Sequence, residues 1–303
     1  MEKHNFNEAV AEFVTIRDLL RWATSQFYQA NLYYGHGTDN AWDEAVYLVL
    51  QALHLPPTIH SSVIDARLTK HEREHIVNLI KRRIEEHMPV AYLTQEAWFA
   101  GLPFYVDQRV LIPRSPIAEL IEQQFSPWVQ QQNVKRVLDL CTGSGCIAVA
   151  CAMTFPEATI DATDISADAL TVARMNVKRH HLEDQIELFQ SDLFDMLPPN
   201  KYDLIVTNPP YVSTEEMQNL PKEYHHEPAL GLAAGRNGLE IVTRILREAS
   251  EFLTPDGVLI IEVGNSEAAL IECFPHAPFT WLEFQRSEGG VFLLTAEQLK
   301  HVK

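Results

Sequence analysis

Val137-Leu138-Asp139-Leu140-Cys141-Thr142-Gly143-Ser144-Gly145-Cys146-Ile147-Ala148 decides the fold. An apolar run stops at two closely spaced glycines and resumes with small and apolar residues, which reads as a buried strand, a turn and the start of a helix. Gly143 and Gly145 let the backbone approach a ligand where a Cβ would block it. The run itself spans Arg136–Cys141, and similar short apolar runs follow at Thr159–Asp164, Ile186–Gln190, Tyr202–Thr207 and Val258–Val263. Helical stretches, including Ser166–His180 and Leu239–Phe252, lie between several of them. That alternation is the pattern of an α/β, doubly wound sheet.

Upstream of this sheet the period is helical. Ala9, Phe13, Ile16, Leu20, Ala23 and Phe27 step by three and four, lining one face of a single helix. A second helix runs from Trp42 through Leu53 and ends before Pro56-Pro57. A third starts at Thr69, with Glu72 completing a capping box, and continues through Ile76, Ile80 and Ile84 to Pro89. Its Lys81, Arg82 and Arg83 read as a solvated face. From Trp98 the period becomes two: Phe104 and Val106 alternate, Asp107-Gln108-Arg109 turns, and Val110 and Ile112 alternate again, as in a β-hairpin. The domains expected are residues 1–93 (helical, substrate-recognising), 94–116 (hairpin linker) and 117–303 (catalytic).

The 303 residues carry a net charge of −17, distributed unevenly. Residues 1–93 hold nine Lys and Arg against twelve Asp and Glu, a balance of −3; residues 94–303 hold fifteen against twenty-nine, a balance of −14. An acidic catalytic part repels nucleic-acid phosphates and suits a basic partner. No apolar run is long enough for a membrane span, and the first residues, Met1-Glu2-Lys3-His4-Asn5, lack the pattern of a leader, so a cytoplasmic protein is expected. Cys141, Cys146 and Cys151 are spaced by five, which turns roughly 500° on a helix and scatters the thiols. His180-His181 and His225-His226 lack further ligands at useful spacing, so no metal is expected.

Gly143-x-Gly145-x-x-Ala148, with Asp164 ending the next strand, satisfies the dinucleotide fingerprint as well as other nucleoside sites. Three features favour S-adenosylmethionine. Asp139 can meet an ammonium near the first strand's end. Asp192 can accept from an adenine amino group while Leu193 or Phe194 packs near the ring. The fourth strand ends in Asn208-Pro209-Pro210-Tyr211, which has no part in hydride transfer.

That tetrapeptide suits a planar NH2 group, whose lone pair is delocalised and poorly nucleophilic. The Asn208 side-chain carbonyl and the Pro209 backbone carbonyl can each accept one hydrogen, aiming the lone pair at a methyl group and stabilising developing positive charge. Pro209 and Pro210 stiffen the loop and offer no N–H to compete. Tyr211 can lie against the flat face of the target.

In this order the residues resemble the class I amino methyltransferases. With a helical N-terminal domain, a hairpin, Pro113-Arg114 and His226-Glu227-Pro228, the chain is similar to the protein glutamine N(5)-methyltransferases over nearly its whole length. Tyr34-Gly35-His36-Gly37-Thr38-Asp39-Asn40-Ala41-Trp42-Asp43-Glu44-Ala45 resembles the branch acting on large-subunit ribosomal protein L-three, rather than the release-factor branch. The resemblance implies a mostly parallel sheet with an antiparallel strand near the C-terminus. It implies S-adenosylmethionine near Asp139, Thr142, Gly143, Ser144, Gly145, Asp164, Asp192 and Asn208. The glutamine would be held by Asn208, Pro209, Pro210 and Tyr211, with Arg114 and Glu227 lining the substrate cleft. Cys141 stands where many relatives have glycine. His36 and Asp39 suit turn and capping roles as well as they suit substrate reading. Release-factor glutamine methylation, adenine N6 or cytosine N4 methylation, an NAD-dependent oxidoreductase and a non-catalytic ribosome-assembly factor are the competing readings. The acidic balance weighs against the nucleic-acid ones.

Overall fold

The computed structural model describes residues 5–56, 58–286 and 289–302. Met1–His4, where the leader pattern was sought, and Pro57 of the expected helix stop lie outside the described residues. The chain divides into two compact units: Met1–Glu96 with Pro221–His226, and Ala97–Leu220 with Glu227–Lys303.

The first unit is helical. The single helix expected over residues 9–27 is two, Phe6–Glu12 and Ile16–Gln29. Thr15 breaks it: its side chain accepts from the Asp18 N–H while Asp18 accepts from the Thr15 N–H, a capping box that starts a new helix. The apolar period crosses the break because Phe13, outside either helix, still packs against Trp22. Asn40 caps Ala41–Ala52, and Thr69 with Glu72 caps Lys70–Glu86 as the sequence predicts. Leu19, Ala23, Phe27, Ala45, Leu48, Ile76 and Ile80 meet in one apolar core. Lys81 and Arg82 are surface residues paired with Glu85 and Glu86. Arg83 is not: its side chain is 1% exposed, because it lies three residues beyond Ile80 on the helix's inner face.

At the start of the second unit, just after Glu96 ends the first, stands a hairpin of β1 (Glu96–Phe99) and β2 (Leu102–Tyr105). It closes at Ala100-Gly101, both with positive φ, earlier than the turn expected at Asp107–Arg109. A backbone turn does form there, from the Val110 N–H to the Asp107 carbonyl, but Val110 and Ile112 continue as buried irregular chain. The alternation reported burial, and burial was satisfied without strand pairing.

The main sheet comprises β3 (Arg136–Leu140), β4 (Thr159–Asp164), β5 (Ile186–Gln190), β6 (Tyr202–Thr207), β7 (Leu253–Glu262), β8 (Thr280–Trp281) and β9 (Val291–Thr295), in the order β5-β4-β3-β6-β7-β9-β8. The first five strands are parallel; β9 runs antiparallel to β7 and β8. Apolar residues on both faces build two cores, one under helix Cys146–Thr154 and one under helix Glu240–Glu248. The chain works outward from β3 to β5 and then returns to β6 on the other side of β3. That reversal opens a crevice at the carboxyl ends of β3 and β6, where ligands collect in such sheets.

Candidate active site

The glycine turn follows β3. Cys141 adopts φ 57° and Gly143 φ 55°, so the turn needs left-handed backbone at both. Glycine takes this conformation freely and cysteine does not, so Cys141 holds a backbone position that favours glycine. The two glycines do different work. A Cβ on Gly143 would meet nothing within 4 Å, whereas one on Gly145 would sit 3.2 Å from the Ala173 Cβ. Gly143 therefore presents open backbone, and Gly145 allows helix Cys146–Thr154 to pack against helix Ala167–Arg179. Ser144 is buried beneath the turn, its carbonyl accepting from the Asn176 side chain. Thr142 is also buried, and its hydroxyl donates to Asp139.

Asp139 is fully buried. One carboxylate oxygen accepts from Thr142 and from the Ala148 N–H at 3.0 Å; the other has no hydrogen-bond partner among the described residues. Burial pushes its pKa up to about 7, despite the two donors. Asp164 ends β4 with its oxygens turned to the Gly143 N–H and the Ser166 N–H, both at 2.9 Å. Burial raises its pKa too, and those backbone donors pull it back. Asp192 follows β5, beside Asp164, because the Ser191 N–H donates to the Asp164 carbonyl. It accepts a 2.8 Å hydrogen bond from Arg244 of helix Glu240–Glu248, a partner that nothing in the sequence pattern signals. Phe194 stacks on Phe252, centroids 4.5 Å apart, inside the core, and Leu193 is buried with it. Neither ring nor methyls are offered at the surface. Ile165, adjacent to Asp164, is 48% exposed and offers an apolar surface there.

This set of acceptors and bare backbone fits S-adenosylmethionine. The unpartnered Asp139 oxygen is an acceptor without a donor, Gly143 is open backbone, and Asp164 places a carboxylate beside it.

Asn208-Pro209-Pro210-Tyr211 emerges from β6 immediately next to the turn. The Thr207 hydroxyl donates to the Leu140 carbonyl at 2.7 Å, tying the carboxyl ends of β6 and β3 together. Asn208, Pro210 and Tyr211 are half-buried and Pro209 is buried. Val212 forms an isolated parallel bridge, its N–H donating to the Leu232 carbonyl and its carbonyl accepting from the Ala234 N–H, which anchors the chain beyond the tetrapeptide. Arg114 and Glu227 meet each other: the guanidinium makes two bonds, 2.6 and 2.8 Å, to a carboxylate with no exposed surface. Glu227 also accepts from the Ile112 N–H. Both Glu227 oxygens are engaged inside the protein, as a residue that braces the loop before Pro228 requires.

The residues singled out around His36 sit in the helical unit. Thr38 donates to Glu44, Asn40 caps the following helix, and His36 packs on Tyr224 with centroids 4.5 Å apart.

Comparison with known proteins narrows the reading. Residues 18–94 match the PrmC N-terminal domain and residues 123–224 the methyltransferase small domain. Ribosomal protein uL3 glutamine methyltransferase of Francisella tularensis is 49% identical, the match covering 95% of this chain and 92% of that one. The protein of the same name from Neisseria meningitidis is 50% identical over 97% of each chain. The chain belongs to this family. Among solved structures, the catalytic domain of hMettl16 in complex with MAT2A 3'UTR hairpin 6 superposes with a TM-score of 0.50 at 17% identity, over 74% of this chain and 81% of that one; the likeness is one of fold.

Membership in a methyltransferase family gives the buried Asp139 a testable consequence. Its folded-state pKa of about 7 stands above the usual 3.8, so between those values the folded chain holds a proton that the unfolded chain has lost. Stability of the ligand-free protein contributed by this site therefore falls as pH rises through that window. Asp139→Asn is expected to flatten the fall and to weaken S-adenosylmethionine binding by tenfold or more. Denaturant melts at several pH values and calorimetric titration check both. A wild-type stability that rises steadily from pH 4 to 7, with the variant's parallel to it, would contradict the assignment.

Proposed function

We propose that this protein transfers a methyl group from S-adenosylmethionine to the side-chain amide nitrogen of a glutamine in ribosomal protein uL3, with Asn208-Pro209-Pro210-Tyr211 holding that amide. The observation that carries the substrate is the near-complete, roughly half-identical match to two relatives named for this reaction. When bound, S-adenosylmethionine supplies an electrophilic methyl group on a sulfonium that departs as a neutral thioether.

The chain's own residues do the rest. Asp164 would accept from the ribose hydroxyls, Gly143 would admit the cofactor against bare backbone, Asp139 would answer its ammonium, and Asp192, steadied by Arg244, would accept from the adenine amino group. The Asn208 and Pro209 carbonyls take the two amide hydrogens, which orients the nitrogen lone pair and stabilises positive charge on it. Once methylated, the amide nitrogen is cationic and strongly acidic, and it loses its surplus proton to solvent water, so no strong base is needed. Residues 1–93 are the part that recognises the protein substrate, and the −14 balance of residues 94–303 suits a basic one. Among the described residues no helix is long and apolar enough to cross a membrane. We place the enzyme in the cytoplasm with its ribosomal substrate.

The test is transfer of labelled methyl from S-adenosylmethionine to ribosomal protein fractions taken from cells lacking the enzyme. Label is expected on a uL3 glutamine. Label on a release factor, or on nucleic acid alone, would overturn the substrate.

A further inference from the structure

Behind the tetrapeptide lies a carboxylate that the sequence pattern did not single out. Glu262 is the last residue of β7, closing an otherwise apolar run from Val258, and is 5% exposed. One of its oxygens accepts from the Tyr211 hydroxyl at 2.9 Å and the other from the Ser115 hydroxyl. Burial raises its pKa; the Ser115 and Tyr211 donors and the Arg114 charge oppose the rise.

The rest of Tyr211 is held as closely. Gly264, with φ 46°, lies under the ring: a Cβ there would be 2.6 Å from the Tyr211 Cε2. A Cβ on Gly238 would be 2.2 Å from the Tyr211 carbonyl oxygen, which accepts from the Ser266 hydroxyl at 3.0 Å. Ser115 and its neighbour Arg114 therefore reach both ends of the excursion that leaves β6. Ser115 reaches Tyr211 through Glu262, and Arg114 grips Glu227 directly.

We infer that Glu262 is a positioning residue: by taking the Tyr211 hydroxyl it fixes the ring in the orientation that meets the substrate amide, without itself touching substrate. A tyrosine ring has two rotatable bonds, and tying its far end removes both freedoms before substrate arrives. Displacing a contacting group by about 1 Å can cost on the order of a hundredfold in rate. The inference rests on the proposed role of Asn208–Tyr211.

The experiment measures steady-state methylation of uL3 by Glu262→Ala, Glu262→Gln, Tyr211→Phe and the Glu262→Ala/Tyr211→Phe pair, with Asn208→Ala alongside. Calorimetric titration with S-adenosylmethionine reports whether each variant retains a folded site. Glu262→Ala is expected to lower kcat by about 10- to 100-fold, as loss of an orienting partner does. Cofactor affinity should stay within about threefold of wild type. Glu262→Gln, which keeps an acceptor for the phenol, should recover most of the loss. Tyr211→Phe should lower kcat comparably, and the pair no further than the worse single variant, because both cut one link. Independent, multiplying losses overturn the inference, as does a silent Tyr211→Phe beside an impaired Glu262→Ala. Should Asn208→Ala retain full activity, the reading of the tetrapeptide fails instead.

Discussion

Asn208→Ala is expected to lower kcat for glutamine methylation by about 10²- to 10³-fold, the usual cost of removing one preorganised hydrogen-bond partner from a developing charge. The loss should fall on kcat more than on cofactor affinity. Removing the side chain leaves the loop's other anchors intact: Thr207 on Leu140, Val212 between Leu232 and Ala234, and Tyr211 on Glu262 and Ser266. The Pro209 carbonyl still accepts one hydrogen, so residual transfer above background is expected. Asn208→Asp keeps an acceptor at the same place and should lose less than alanine. Single-turnover methyl transfer with saturating S-adenosylmethionine resolves the chemical step from binding. Full activity in the alanine variant would remove the tetrapeptide from the mechanism.

Strands β4 and β6 coincide with the apolar runs read from the sequence, because strands largely buried on both faces have little polar side to blur their ends. Strand β5 coincides too, although it is an edge strand with Glu187 and Gln190 exposed. Period alone misled elsewhere. One helix and two successive helices give the same apolar stripe, and only Thr15 with Asp18 marks the break. Val110 and Ile112 alternate like a strand yet only needed burial. At the site, Gly143, Asp164 and Tyr211 could be placed because a strand's end fixes where the next residue stands. Phe194 could not: its sequence neighbourhood is the same whether it faces a purine or Phe252. Glu262, Ser115 and Arg244 gained their roles from partners 51 to 147 residues away. A lone acid ending an apolar strand was the one signal for Glu262. Arg83 had a signal as well, since its spacing from Ile80 puts it on the buried face of a helix whose charges otherwise point outward.

That arginine carries the second large effect. Within the helical unit its guanidinium donates to Glu44 at 2.7 Å, to Glu223 at 3.1 Å and to the Tyr33 carbonyl at 2.8 Å, and the Arg83, Glu44 and Glu223 side chains are almost wholly buried. Glu223 belongs to Pro221–His226, the short segment that joins the helices from far along the chain, and it also accepts from the Tyr33 N–H and meets His87. Arg83→Met leaves two carboxylates buried without their cation, which costs on the order of 3–5 kcal/mol. Domains of this kind are stable by only about 5–15 kcal/mol, so the helical unit should unfold well before wild type in denaturant. The two acids should respond differently to removal. Burial holds Glu44 above the ordinary 4.5 even beside Arg83, so Glu44→Gln should be mild. Burial also pushes Glu223 up, but the His87, Arg83 and Tyr33 donors bring it below 4.5. Its contribution is present above pH 4.5 and is lost as pH falls through the lower folded value, so Glu223→Gln should cost more at pH 7 and little in strong acid. In Arg83→Met the uncompensated carboxylates gain by taking up protons, so the gap from wild type should narrow as pH falls. Denaturant midpoints at pH 7 and pH 4 measure it, and a gap that widens in acid would show that Arg83 does not act through these carboxylates.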